Sequence, residues 1–405
     1  VRALALSLAL LAACRPGPEP GVSEAPPHLD TAPSDAPETF DERVARVHRE
    51  ALIVDGHDDI PSILAKTGGE LDAPKAMTST DLAKLKSGGV TAEFFSIFVD
   101  RAYAEHPTTN GGGAARRALD LIDLTYRQVE RFPNDLVLAR TVDDVRRAKS
   151  EGRVAILMGI EGGHAIESSL SPLRDFYRLG VRYMTLTHTN TNGWADSSGS
   201  FGPVPVKHHG LTPFGEEVVR EMQRIGMLVD VSHVSDATFF DVIKVAKAPV
   251  IASHSSARAI VDRRRNLSDA MLRALADNGG ICMVNFWPEY IDPAVVAARA
   301  RGAAPPPTPI SMLVDHIDHI VKIAGIEHVG IGSDFDGVDA LPVGLGGVDQ
   351  LPNLTLAILE RGYSDDEVKK ILGENFLRVL GAAEAFAKAT GTTVSGDGSR
   401  RAFSE

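Results

Sequence analysis

The stretch LIVDGHDDIP, residues 52 to 61, begins as an apolar strand and then places Asp55, His57, Asp58 and Asp59 where apolar side chains should continue. On an extended chain alternate residues point the same way, so His57 and Asp59 share one face while Asp58 takes the other. Imidazole nitrogen and carboxylate oxygen together suit a zinc ion. The blander reading is that the three aspartates cap the following turn and His57 packs in a core. Further residues tilt the balance. Glu161 precedes two glycines in GIEGGHAIE, so backbone can approach closely and the carboxylate has room to bridge two ions. His233 in VDVSHVS and His254 in VIASHSSA end two consecutive apolar runs. With His57 and Asp59 they complete two half-sites that share Glu161. Two divalent ions about 3.5–4 Å apart, with a hydroxide between them, form a hydrolytic device. Asp334 in GIGSDFDG has the type and place of a base that accepts the water's proton and returns it to a leaving amine. His188, ending MTLTH, has no partner ligand nearby in sequence and reads as a donor to a developing oxyanion.

These residues need elements that bring them together. Apolar, β-branched runs at 52–57, 90–98, 154–162, 182–188, 227–233, 249–254, 279–286 and 328–335 alternate with amphipathic segments such as ARRALDLIDLTYRQVERF, PFGEEVVREMQRIG and SMLVDHIDHIVKIAGI. Eight parallel strands with helices between them are the count of an α/β fold of the (β/α)8 type, a TIM-like barrel. His57, Asp59, Glu161, His188, His233, His254 and Asp334 all fall at or just past the carboxyl end of such a run. That rim is where barrel enzymes keep their chemistry, and packing does not explain polar residues on so many strand ends.

The 54 acidic against 42 basic residues give a net charge of -12 with no Lys/Arg cluster, which excludes nucleic acid as a partner. Residues 1–13 put one Arg before a short apolar run ending in small residues, a secretory signal pattern too short to span a bilayer. Leu11-Ala12-Ala13-Cys14 resembles a bacterial lipobox, with Cys14 as the lipidated residue; a plain signal peptide is the alternative. The expectation is an exported lipoprotein touching the membrane through that amino-terminal lipid only. Residues 14–39, rich in Pro and acidic side chains, read as an extended tether, 40–390 as the barrel domain and 391–405 as a loose tail. With Cys14 lipidated, Cys282 in GGICMVNF is left as a small core residue.

At this point the chain resembles a known family. DGHDD, GIEGGHAIE, MTLTHTNTN, GLTPFGEEVVREMQRIGMLVDVSHVS, PVIASHSSARAI, RRNLSDAML, MVNFWPEYI and VGIGSDFDGV, spread in order over about residues 40 to 385, look like the renal-type membrane dipeptidases, zinc peptidases of the amidohydrolase superfamily. The resemblance implies two zinc ions, one held by His57, Asp59 and Glu161, the other by Glu161, His233 and His254. It also implies a dipeptide substrate, His188 as a substrate and transition-state contact, Arg265 on the substrate's terminal carboxylate, and Asp334 in proton transfer. Arg263 and Arg264 stand beside Arg265, so the register is set by Arg265 directly preceding Asn266. A homodimer follows from the resemblance by analogy alone. The chain departs from relatives in having a polar carboxyl-terminal tail where animal members carry a lipid anchor, and in lacking a Cys after His188.

Other histidines read otherwise. His208 and His209 sit in the long loop 189–212, expected to cover the pocket, and are not taken as ligands. His316 and His319 share a helical face and read as packed or solvated. His164 is at most a support for a ligand, and Asp336 beside Gly337 reads as a turn former. Two other functions stay open: an amidohydrolase acting on a lactone, cyclic amide or phosphoester, and a lipoprotein that captures a peptide without turnover. Many such barrels bridge their metals with a carboxylated Lys, but the strand ending at His188 offers none and Glu161 is available.

Overall fold

A computed structural model describes residues 37–199, 202 and 204–391. The expected signal sequence, Cys14, the tether as far as residue 36 and the tail beyond Gly391 lie outside the described residues. By its contacts the chain divides between Thr39 and Phe40, and everything below concerns the unit that begins at Phe40.

Nine strands run parallel: β1 (Val54–Asp58), β2 (Ala92–Phe98), β3 (Leu136–Leu138), β4 (Val154–Glu161), β5 (Val181–Thr185), β6 (Leu228–Asp230), β7 (Ile251–Ala252), β8 (Ile281–Val284) and β9 (Val329–Ile331). Eight of them close a ring, because β1 pairs with both β2 and β9 while β2 also pairs with β4. This is the expected (β/α)8 barrel. β3 is the strand the sequence pattern does not announce. It lies against β4 at Val154–Ile156, on the edge that β5 takes over from Met158 onward. Three residues, two of them only half-buried, leave too little periodicity to read.

The strands are also shorter than the apolar runs that mark them. β6 stops at Asp230, β7 at Ala252 and β9 at Ile331, before His233, His254 and Asp334. Past two of these ends the backbone turns out of the extended region, His233 (φ 66°) and Asp334 (φ 64°) adopting the left-handed conformation. Such a conformation costs a non-glycine residue of order 1 kcal/mol or more, and it persists where surrounding structure enforces it.

Alternation sorts the barrel wall. Phe95, Ile97, Ile156, Met158 and Ile160 pack outward with the helices, whereas Phe94, Leu157, Tyr183, Leu228, Ile281 and Met283 form a second apolar cluster with Phe376 and Leu380. Residues alternate between these clusters along β2 and β4, as a barrel interior requires. Gly159 is what admits Tyr183 to that interior, since a Cβ there would stand 2.0 Å from the ring's Cζ. Helices start on side-chain caps: Thr212 accepts from Gly215 N, Ser235 from Thr238 N, Ser268 from Met271 N, and Thr141 and Ser364 form full capping boxes. Each such cap contributes about 1 kcal/mol and fixes where the chain turns from rim to helix. No helix among the described residues is long and apolar enough to cross a membrane.

His316 is fully buried in helix Ile310–Ala324 and is a structural residue. Its Nδ1 accepts from Ala257 N at 2.9 Å and its Nε2 donates to Ile291 O at 3.1 Å. Burial pushes its pKa down to about 4. The unfolded chain therefore holds the extra proton between pH 6.5 and about 4, and stability falls as pH falls through that window. At pH 5 this amounts to about 2 kcal/mol. His316→Gln offers the same acceptor and donor without the charge. In urea unfolding it is expected to lose about 2 kcal/mol less than the parent between pH 7 and pH 5; equal losses would contradict the assignment. His319, by contrast, pairs with Asp269 at 2.7 Å near the surface.

Candidate metal centre

His57 lies within β1, Asp59 immediately follows it, and Glu161 is the last residue of β4. The capping possibility for the aspartates divides among them. Asp58 Oδ1 accepts from Ile60 N at 2.8 Å and Asp55 Oδ1 from Ser333 N at 2.7 Å, but Asp59 makes no side-chain cap although it precedes helix Ile60–Thr67. Its carboxylate turns to His57, with 3.5 Å between Oδ2 and Nε2.

Glu161 stands at the centre. Its Oε1 is 2.9 Å from His233 Nε2 and 3.2 Å from His254 Nε2, while its Oε2 is 3.7 Å from His57 Nε2. One oxygen thus faces the two histidines just past β6 and β7 and the other faces His57 of β1. Threefold groupings of ligand atoms within 4.8 Å of one another cut across this division: His57 with Glu161 and His254, Glu161 with His188 and His233, and His57 with Asp59 and Asp334. The separation by carboxylate oxygen is the better guide to how donors divide, because all these atoms crowd into one small volume.

The tautomers are set by neighbours. His57 Nδ1 meets Tyr183 Oη at 2.8 Å, and that hydroxyl donates to Gly56 O at 3.1 Å, so Nδ1 carries the proton and Nε2 a bare lone pair. His254 Nδ1 meets Ser253 Oγ at 2.8 Å, and Ser253 Oγ donates to Asp230 Oδ2 at 2.6 Å, which leaves His254 Nε2 bare as well. Asp230 is fully buried and also accepts from Thr185 Oγ1 at 2.5 Å and from the amides of Ser232 and Ser253 at 3.0 and 2.9 Å. It locks the tips of β6 and β7 together.

His57 Nε2 and Asp59 Oδ1 are buried with no partner in the chain, and His233 Nε2 lies 2.9 Å from His254 Nε2. The bare Nε2 atoms of His57 and His254, the carboxylates of Asp59 and Glu161 and the ring of His233 gather acceptor atoms in one buried space, and such a gathering is costly unless a cation stands among them. These residues therefore fit a metal centre. The electrostatics agree. Burial, together with the carboxylates of Asp59 and Asp334, pushes Glu161 up to about 8. Burial works to lower His57, but Glu161, Asp59 and Asp334 carry it up to about 10, so with no ion present His57 Nε2 holds a proton among these carboxylates, and a metal ion would displace that proton and take its place. Burial and then Arg265 hold His233 well below the usual imidazole range, and burial and then His57 do the same for His254, so both stay neutral as ligands must.

The cavity at this rim measures about 340 Å3 and is lined by Asp59, Glu161, His188, His233, Arg265 and Asp334, with Phe98, Trp287 and Tyr290 as aromatic walls. His188 packs edge-on against Phe98 with ring centres 4.8 Å apart, and burial with the nearby Arg265 holds it neutral, down to about 3. Asp334 receives Asn285 Nδ2 on Oδ2 at 2.8 Å, and burial, then Asp59, raises its pKa. Of the three arginines, Arg263 pairs with the buried Glu289 at 2.6 Å, Arg264 is exposed and donates to Gly202 O, and Arg265 is buried. Arg265 donates to Ser255 Oγ at 3.2 Å and His254 O at 3.0 Å and lies over the Tyr290 ring.

Other expected residues lie elsewhere. His208 Nε2 bonds Asn192 O at 3.0 Å, and neither it nor His209 joins the cluster. Of the loop expected to cover the pocket, Thr189 lines this cavity, whereas Asn190–Trp194, Lys207 and His208 line a different one. Asp196 pins that loop by accepting from the amides of Lys207, His208 and Gly210. Asp336 does more than turn the chain: it accepts from Ser79 N at 2.7 Å and Thr80 N at 3.0 Å. Tyr183, Asp230, Ser253 and Asn285 act through hydrogen bonds to other side chains and carry no spacing signal of their own in the sequence.

Residues 41–393 match the model of the membrane dipeptidase family, peptidase family M19. An uncharacterised dipeptidase of Schizosaccharomyces pombe is 39% identical over 368 residues, covering 86% of this chain and 85% of the relative. Among solved structures, the probable dipeptidase PvdM of Pseudomonas aeruginosa superposes with a TM-score of 0.77 at 28% identity, over 87% of this chain and 100% of that one. A metallopeptidase of Rhodobacter sphaeroides, bound to a phosphinate mimic of the dipeptide L-Ala-D-Ala, gives a TM-score of 0.72 at 26% identity, over 82% and 99%. Barrel, rim donors and relatives agree: the chain belongs to the membrane dipeptidases, peptidase family M19, metallopeptidases on the amidohydrolase fold.

Proposed function

We propose that the chain hydrolyses dipeptides at a binuclear zinc centre, with His57, Asp59 and Glu161 holding one ion and Glu161, His233 and His254 the other. The observation that carries this reading is Glu161, whose two oxygens face different groups of imidazole Nε2 atoms. Bound there, two divalent ions supply Lewis acidity and a water nucleophile that is available at neutral pH.

The chain supplies the rest. Arg265, buried and braced by Ser255, His254 and Tyr290, binds the substrate's terminal carboxylate through its planar fork. His188, neutral, donates to the carbonyl oxygen as it gains charge. Asp334, its Oδ2 held by Asn285, takes the proton from water at its other oxygen and delivers it to the leaving amine nitrogen. Trp287, Tyr290 and Phe98 narrow the pocket and reduce its water, and a 340 Å3 cavity is at the small end for ligand sites, which favours substrates of two residues.

A panel tests this reading: zinc-loaded protein with L-Ala-L-Ala, L-Ala-D-Ala, L-Ala-L-Ala amide, a lactone and a phosphotriester, each with and without chelator. Cleavage of the free dipeptides, abolished by chelator, is expected, with the amide poorer by roughly a hundredfold for want of the Arg265 partner. Chelator-resistant cleavage, or the lactone or phosphotriester as the better substrate, would overturn it. The same reading takes the protein as exported and lipid-anchored, on the amino-terminal sequence alone. Cys14→Ser is expected to move it from the membrane fraction to the soluble one; equal partition of both forms counts against the anchor.

A further inference from the structure

Gly337 lies on the wall of the catalytic pocket, in the turn that follows Asp334. Its φ is not in the left-handed range, so the backbone there would accept an alanine and the turn alone does not call for glycine. What a side chain lacks is room. A Cβ at Gly337 would stand 2.3 Å from Asp59 Oδ2 and 2.6 Å from Asp334 Oδ1, and the next nearest atom, at 3.3 Å, is Asp59 Cγ. Both struck oxygens are the ones the site uses. Asp59 Oδ2 is turned to His57 Nε2 at 3.5 Å, and Asp334 Oδ1 is the oxygen that Asn285 does not hold.

The backbone cannot draw back to make that room. Gly337 N donates to Asp334 O at 3.2 Å, Asp334 N to His57 O at 3.0 Å and Asp59 N to Phe335 O at 2.8 Å, so the segment is laced to the end of β1. Asp336, next to the glycine, accepts from the amides of Ser79 and Thr80 at 2.7 and 3.0 Å. Phe335 is fully buried with its ring edge-on to Phe286. Side-chain ends move at less cost than a backbone tied in this way, so the two carboxylates would be the atoms to yield. A methyl carbon keeps at least 3.0 Å from such oxygens, and the shift required is several tenths of an ångström, roughly the tolerance within which reacting groups must be held.

We infer that Gly337 is a positioning residue: the side chain it lacks is the space in which Asp59 Oδ2 and Asp334 Oδ1 are aimed into the site. This role depends on the functions proposed above for Asp59 and Asp334. It predicts that a single methyl group separates catalysis from folding.

Gly337→Ala is compared with the parent, each first shown to be metal-free and then loaded with zinc. The metal-free variant is expected to melt within about 3 °C of the metal-free parent. Chelator competition should show one of the two zinc ions held roughly tenfold or more weakly. With zinc saturating, kcat for L-Ala-L-Ala should fall roughly tenfold to a hundredfold while KM stays within about threefold. A glycine needed only for the turn would lower the melting temperature and leave zinc affinity and kcat alone. That outcome overturns the role, as does a rise in KM alone, which would mean that the methyl merely fills the pocket. If Gly337→Ala does not fold, Asp59→Ala is added to it: recovery of the fold supports the contact, and a double variant that stays unfolded overturns it. A parent that binds fewer than two zinc ions, or leaves the dipeptide intact, is a different failure, that of the binuclear reading itself.

Discussion

Glu161→Gln is expected to lose at least one of the two metal ions and to cut dipeptide turnover by roughly a thousandfold or more, about 4 kcal/mol of barrier. A carboxamide keeps the shape but presents one neutral oxygen where the carboxylate offers two that share a negative charge. It cannot serve His233 and His254 on one side and His57 on the other. Folding should survive the change. Glu161 is buried among Asp59 and Asp334, and burial already drives it toward its neutral form, so an uncharged replacement relieves repulsion in the metal-free protein. The metal-free variant is expected to melt at or above the temperature of the metal-free parent, as is common where a site is built at the cost of stability. A variant that retains two equivalents of zinc by elemental assay would contradict the bridging role, whatever its activity.

The second large effect belongs to Asp334. Asp334→Asn keeps the Asn285 contact available and adds no bulk, so metal content and KM should change little while kcat falls roughly 10² to 10⁴-fold, the range for loss of a general acid–base group. The split matters. Loss of a substrate-binding group raises KM, and loss of a ligand lowers metal content; a fall in kcat alone with two ions retained marks proton transfer. If turnover stays within tenfold of the parent, another group moves the proton. The left-handed backbone at Asp334 gives a structural reason for its position: that conformation turns the chain out of β9 and lines its carboxylate along the pocket wall.

Why this much was legible follows from what a barrel does to its sequence. Barrel strands are largely apolar on both faces, so a charged residue at an end stands out, and His57, Glu161, His188, His233, His254 and Asp334 can be picked out as candidates from the sequence; the fold gathers them at one rim. The places where expectation and structure part have physical causes. β3 is three residues long and pairs with only the start of β4, below what periodicity detects. Strand ends fall earlier than the sequence pattern suggests because Val231-Ser232 after Asp230 and Gly332-Ser333 after Ile331 carry no breaking signal, while the backbone has already left the ladder. The length of the loop 189–212 suggests a cover; among its described residues Thr189 lines the pocket, and Asp196 collects three amides, a pattern that no spacing rule reports.

The arginine triplet makes the same point in small. Sequence could set Arg265 apart only by its neighbour Asn266; the fold separates the three by giving Arg263 to Glu289 and Arg264 to a backbone carbonyl. Tyr183 and Asp230 were invisible for a related reason. Each holds a histidine of the proposed centre in its tautomer, Tyr183 acting on His57 directly and Asp230 on His254 through Ser253, and such support is defined by contact across strands rather than along the chain.

Anomalous diffraction from zinc-loaded crystals, with elemental analysis of the same preparation, addresses the central claim directly. Two peaks per chain are expected, one touching His57 and Asp59, the other His233 and His254, with Glu161 reaching both. A single peak, or two ions of which neither contacts Glu161, would contradict the account.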